Sequence, residues 1–190
     1  QAYIDGEFVN LNSRAAHYAF DRARHVSDVP KPIEGTQLHI GIDFNVTPMT
    51  ACVGYYAGDK YCVFAEYYIM NANTFMLADL IYADYAAKHP IICYPDPTGE
   101  SRKTSSDISD LMILQKKGFD LRFRHGISQR RSLNATNGAL DHDRVVIDSK
   151  CTHLITDLEQ VVTDEYGQID KPKGTLLTHA GLANLSQAQQ

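Results

Sequence analysis

The run Leu38-His39-Ile40-Gly41-Ile42-Asp43-Phe44-Asn45-Val46-Thr47-Pro48-Met49-Thr50-Ala51-Cys52-Val53 constrains the fold of this chain more than any other. It reads as a buried strand ending at one carboxylate, then a tight turn, then a second apolar strand. An Asp set into a strand core gives up most of its hydration, which is unfavourable unless a cation or hydrogen-bond donors compensate. A second carboxylate, Asp96, stands in a similar setting at the end of Pro90-Ile91-Ile92-Cys93-Tyr94-Pro95-Asp96-Pro97-Thr98-Gly99-Glu100. Two strands that each bring an acid to one edge of a sheet point to a divalent-metal site. The rest of the chain reads as the scaffold for that edge.

Ala57-Gly58-Asp59-Lys60 makes a hairpin turn into a third strand over 61–69, so the sheet opens with three antiparallel strands. Asn73 or Thr74 caps a helix expected to run to Lys88, and 91–94 follows as a short strand. Ser105-Ser106-Asp107 is expected to cap a second helix that stops at Gly118, ahead of a strand over 119–123. A helix over 129–140, a strand over 144–148, a helix over 151–162 and a last helix over 176–185 complete the order. Three antiparallel strands followed by alternating helix and strand is the order of an α/β, ribonuclease-H-like fold of the RuvC and integrase type. That fold has a mixed central sheet flanked by helices.

With 190 residues and 44% hydrophobic content, the chain has material for one well-cored domain. Residues 36–190 are assigned to it, while residues 1–35, with Pro30, Pro32 and Gly35 near their end, read as a lead-in or linker. No apolar run approaches bilayer length, so no membrane association is expected. Cys52, Cys62, Cys93 and Cys151 lack C-x-x-C spacing, and three of them lie in apolar strand-like runs; buried reduced thiols are expected. A net charge of -5 argues against a basic coat but leaves room for a local basic groove.

Taken alone, Asp43 reads equally as a strand-end residue that caps the Asn45-Val46-Thr47 turn. Pro95-Asp96-Pro97-Thr98-Gly99 is good turn chemistry with no catalysis needed. The pair says more than either member, because the deduced topology brings both strand ends onto adjacent central strands. Oxygen donors suit Mg2+ or Mn2+, and phosphodiester hydrolysis by two such ions needs carboxylates around cations about 3.5–4 Å apart. Glu66 either joins that edge as a further ligand or, by strand alternation, faces solvent. His179 is either structural or placed to orient water or a phosphate. Arg102, Lys103, Arg122, Arg124, His125, Arg130 and Arg131 follow the second acid. They suit a groove for DNA phosphates, against the alternative of ordinary solvated faces.

In this order, Gly41-Ile42-Asp43-Phe44-Asn45-Val46-Thr47-Pro48-Met49 and Tyr94-Pro95-Asp96-Pro97-Thr98-Gly99-Glu100 resemble the C-terminal nuclease domain of the large terminase subunit of tailed bacteriophages. Weaker agreements extend the likeness over nearly the whole chain: Gly6-Glu7-Phe8-Val9, Glu66 with Asn73-Thr74, Leu133-Asn134-Ala135-Thr136-Asn137, Asp148-Ser149-Lys150-Cys151 and Leu177-Thr178-His179-Ala180. The resemblance implies a ribonuclease-H-like, Mg2+- or Mn2+-dependent endonuclease that uses two ions, with Asp43, Asp96 and His179 catalytic. Its substrate would be concatemeric viral double-stranded DNA, cut in the host-cell cytoplasm during genome packaging. The implied partners are an N-terminal packaging ATPase domain, the portal and the small terminase subunit, with the isolated domain a monomer. The chain starts at Gln1 and has no G-x-x-x-x-G-K-[ST] phosphate loop, so an excised domain is expected.

The family's third acid normally falls three residues after the His of Thr-His-Ala. That position is Leu182, and no Asp or Glu occurs from Lys171 to Gln190. Either the tail after Ala180 is non-native or the acid set is incomplete. Two other functions stay open. One is a non-catalytic DNA-binding or docking module of the packaging motor. The other is a fragment of an actin-like ATPase fold, which also opens with Gly-Ile-Asp and a hairpin but needs glycine-rich phosphate turns that this sequence lacks.

Overall fold

The computed structural model describes residues 2–4, 7–9, 14–44, 47–95, 108–122, 128–167 and 169–170. The strands are β1 (Ala2–Ile4), β2 (Glu7–Val9), β3 (Val26–Ser27), β4 (Leu38–Asp43), β5 (Met49–Ala57), β6 (Lys60–Ile69), β7 (Ile91–Pro95), β8 (Asp120–Leu121) and β9 (Val145–Asp148). The helices are α1 (Arg22–His25), α2 (Thr74–Ile81), α3 (Asp110–Lys116), α4 (Gln129–Asp141) and α5 (Thr152–Gln160). β1 and β2 pair as a small antiparallel unit, and the other seven strands form one sheet in the order β3-β9-β6-β5-β4-β7-β8.

Short turns make the first three long strands antiparallel, as their spacing predicts: β4 pairs β5 and β5 pairs β6. The β5–β6 turn uses Gly58 at φ +66°, a left-handed conformation that costs glycine nothing. β7 then lies parallel to β4 and β8 parallel to β7, with α2 and α3 in the connections. On the far side β9 runs parallel to β6 and β3 parallel to β9.

Alternation along these strands produces two layers. Leu38, Ile40, Ile42, Ala51, Val53 and Cys93 point to one side and pack against Leu77, Ala78 and Ile81 of α2 and Ile113 and Leu114 of α3. Cys52, Tyr61, Val63, Val145 and Ile147 point to the other and pack against Ala139 and Leu140 of α4 and Leu154, Ile155 and Leu158 of α5.

Local departures from the sequence expectation have physical causes. Asn73 caps α2 as predicted, its side chain accepting from the Met76 N–H at 3.0 Å. The α-helix stops at Ile81, however, and a five-residue π-helical turn, Tyr82–Ala86, carries the chain on. The cap of α3 is Ser109, whose Oγ accepts from the Met112 N–H at 3.3 Å. Ser105, Ser106 and Asp107, together with the expected helix over 176–185, lie outside the described residues. β8 is confined to two residues, shorter than the expected strand.

The lead-in before Leu38 does more than cross the surface, because α4 supplies partners for its polar groups. Asn137 donates to the Ala16 carbonyl at 2.8 Å and accepts from the Ala19 N–H at 3.2 Å. His25 is fully buried; its Nδ1 accepts from the Asp21 N–H, which leaves Nε2 to donate to the Leu140 carbonyl at 2.9 Å. Asp148 closes the same edge, accepting from the Val29 and Lys150 N–H groups at 3.0 and 2.9 Å. Burial alone would raise the Asp148 pKa, but these two donors and the Lys150 charge bring it below its ordinary value.

Candidate active site

Asp43 is the last residue of β4 and sits opposite Thr50 of β5, which in turn sits opposite Tyr68 of β6. Asp43 and Thr50 are both buried, 5% and 2% exposed, and the Thr50 hydroxyl has no hydrogen-bond partner among the described residues. The neighbouring row holds Gly41, Cys52 and Glu66, with Tyr94 of β7 beyond Gly41. Residues two apart on a strand share a face. Asp43, Thr50, Glu66, Tyr68 and Tyr94 therefore all belong to the α4/α5 side of the sheet.

Ile42 pairs with Pro95, the last described residue of β7. Asp96 follows it in sequence and lies outside the described residues, as do His179, Arg102, Lys103, Arg124 and His125. Of the four acid and histidine candidates, the structure thus places Asp43 and Glu66, on one face and in adjacent rows, two strands apart.

Glu66 does not face solvent, the alternative left open by alternation: its side chain is 12% exposed. One carboxylate oxygen, Oε1, accepts from the His153 backbone N–H at 3.0 Å and its Nδ1–H at 2.9 Å, and Oε2 accepts from the Leu154 N–H at 2.9 Å. The cause is local to α5. Its N-cap residue, Cys151, makes no side-chain cap bond, so the orphan N–H groups of the first turn take their acceptor from the sheet. The His153 ring stacks on Tyr68 with centroids 3.9 Å apart and planes at 11°. Neither His153 nor Tyr68 stood out in the sequence, because the contact to Glu66 joins residues 87 apart along the chain.

Farther from Asp43 on the same face, His39 Nδ1 and the Tyr94 hydroxyl are 2.9 Å apart, with the rings stacked and Tyr56 edge-on to His39. Burial, and then the charge of Arg122, hold His39 below its ordinary pKa. Arg122 itself is exposed and pairs with Asp120 at 3.3 Å. Arg130 and Arg131 are in the first turn of α4. None of the four cysteines is in a disulfide, and all are buried, as expected. Among the described residues no three His, Cys, Asp or Glu side chains gather closely enough to hold a metal ion, and no helix is long and apolar enough to cross a membrane.

An antiparallel β6-β5-β4 opening, extended in parallel by β7 and β8 and carrying an acid at the end of central β4, defines a ribonuclease-H-like α/β domain. Solved structures of large-terminase nucleases share that fold across nearly the whole chain. The nuclease domain of the phage P22 large terminase superposes with a TM-score of 0.73 at 12% identity, covering 93% of each chain. The large-terminase nuclease of thermophilic phage G20c, solved with bound magnesium, gives 0.66 at 9% identity, covering 94% of this chain and 98% of that one. The large terminase of another thermophilic bacteriophage gives 0.67 at 17% identity; the match takes in 91% of this chain but spans only 44% of that longer protein. At these identities the likeness is one of fold. No protein-family model and no curated protein matches the chain.

Proposed function

We propose that this chain is a metal-dependent endonuclease domain that cleaves concatemeric viral double-stranded DNA during genome packaging. The observation that carries the reading is the buried Asp43 at the end of the central strand, beside a buried Thr50 hydroxyl with no hydrogen-bond partner among the described residues. A carboxylate and a hydroxyl are hard oxygen donors, which fit Mg2+ or Mn2+ better than zinc. Asp96, next in sequence after the residue paired with Ile42, is the second acid of the set, and His179 completes it. When bound, the two ions supply an activated water and neutralise the departing oxygen.

The chain's own residues supply position and charge. The sheet fixes Asp43 in register, so its carboxylate needs little reordering when a cation arrives. Arg122, Arg130 and Arg131, with Arg102, Lys103 and Arg124, hold backbone phosphates through charge without reading bases. The packaging ATPase, portal and small subunit belong to the same reading, as does action in the host-cell cytoplasm.

Asp43→Asn tests it. Plasmid cleavage in Mg2+ or Mn2+ should fall at least about a hundredfold, with circular dichroism unchanged. Cleavage at the wild-type rate would overturn the proposal. The absence of any acid from Lys171 to Gln190 favours one second reading, a DNA-binding or docking module without catalysis. In that case Asp43→Asn and Asp96→Asn leave both metal binding and nicking unchanged.

A further inference from the structure

We infer that the outer face of α2 and α3 is a pairing surface for a second copy of this chain. It lies across the sheet from Asp43 and owes nothing to the nuclease reading above. Helix α2 is apolar on two sides. Thr74, Leu77, Ala78 and Ile81 turn inward and are buried, as an amphipathic helix requires. Phe75, Met76 and Leu80, with Tyr82 at the start of the π-helical turn, turn outward and are between 43% and 52% exposed. Met112 adds an exposed side chain from α3. The two helices lie side by side and parallel. Thr74 at the start of α2 donates to Asp110 at the start of α3 at 2.6 Å, while Lys117, just after α3, reaches Asp79 and the Tyr82 ring. At about half exposure these five side chains offer about 500 Å² of apolar surface, near the top of what a soluble monomer shows in one patch.

The carboxylates of this face already have partners within it. Asp79 pairs with Lys117, Asp84 accepts from the Tyr67 hydroxyl, and Asp110 accepts from Thr74. A covering surface therefore takes apolar area out of water with little unpaired charge to desolvate. Two features select another copy as the occupant. Two such patches meeting bury about 1,000 Å² of apolar surface, and a polar rim brings the total into the range of roughly 1,200–2,000 Å² that stable interfaces need. A twofold axis perpendicular to the helices also sets each parallel pair antiparallel to its copy. Helix ends of opposite partial charge then face one another, and Lys116 in the last turn of α3 comes toward Asp110 in the first turn of the other α3. The result departs from the monomer that the family resemblance implies.

Sedimentation equilibrium over a concentration series tests it. The mass of the wild-type chain should rise from 21.2 kDa toward twice that value in the micromolar range. Leu80→Asp and Met76→Lys, both at exposed positions, should each weaken pairing at least about a hundredfold while circular dichroism stays unchanged. Tyr166→Lys places a charge at an exposed position beyond α5, on the other side of the sheet, and should pair as the wild type does. A wild-type chain that stays at 21.2 kDa at every concentration overturns the inference. So does pairing that neither Leu80→Asp nor Met76→Lys weakens, or that Tyr166→Lys weakens as much as they do.

Discussion

The two sides of the central sheet share their strands and differ in nearly every side chain. Toward α2 and α3, β4 and β5 present Leu38, Ile40, Ile42, Ala51 and Val53, all at most 1% exposed. Toward α4 and α5 the intervening positions are His39, Gly41, Asp43, Thr50 and Cys52. One face is dry and adhesive; the other brings a carboxylate, a buried hydroxyl and a histidine into a partly buried layer. Because strand side chains alternate with period two, a single register fixes both, and a one-residue slip would bury the polar set in the aliphatic layer. The all-aliphatic side therefore helps to hold the acidic end of the other side in register, alongside that side's own core of Val63, Leu140, Ile147 and Ile155.

Truncation on the dry side is the heaviest blow to that division. Ile40 is fully buried among α2 and α3 residues and pairs across to Val53 and Cys93. Ile40→Ala should cost about 2–5 kcal/mol, through lost transfer energy and the cavity left behind. Urea unfolding measures it; a loss below about 1 kcal/mol, well under that range, would mean the aliphatic layer is not what sets the register.

Much of this division could be read from the sequence, since it follows from local rules. Alternation through 38–57, the Gly58 turn and the Asn73 cap give the antiparallel triplet, the face of Ile40 and the strand-end place of Asp43. What escaped depends on partners far away in the chain. Nothing near Glu66 announces that its oxygens will cap a helix that starts at Thr152, and nothing near Val26 announces a strand beside β9. The α3 cap falls at Ser109, later than the Ser105-Ser106-Asp107 expectation, because Ser105, Ser106 and Ser109 offer the same chemistry and only the packing of Leu111 and Leu114 selects the last. The Asp96 and His179 assignments rest on sequence alone.

Acid should strike the two layers unequally. His17 follows Ala16, whose carbonyl Asn137 of α4 holds, and it is buried. Its Nδ1 has no partner among the described residues, and burial lowers it from an ordinary value of 6.5 to about 4. Its folded-state pKa lies below its unfolded value, so between those two values the unfolded chain binds more protons. Stability is complete above pH 6.5 and declines as the pH falls toward 4, by about 3 kcal/mol at the lower limit. The α2/α3 core contains no buried histidine among the described residues. Hydrogen exchange at pH 5 should thus accelerate in α4 before α2, and His17→Gln should flatten the dependence. Equal acceleration in both helices would remove the asymmetry.

The smallest expected effect has the opposite sign and tests the polar side most closely. Thr50 is 2% exposed, and its hydroxyl has no partner among the described residues, so desolvation of the O–H is uncompensated in the metal-free chain. Val has nearly the same shape and no polar atom. Thr50→Val should therefore stabilise the metal-free protein by about 1 kcal/mol, where most buried substitutions destabilise. If the hydroxyl serves the site beside Asp43, the gain should shrink when Mg2+ or Mn2+ is added, because only the wild-type chain then recovers a ligand for its oxygen. Thermal melts of both proteins, with and without the cation, read the two quantities together. A destabilised Thr50→Val protein in the absence of metal would show that the hydroxyl already has a partner and that the polar side is complete without a cation.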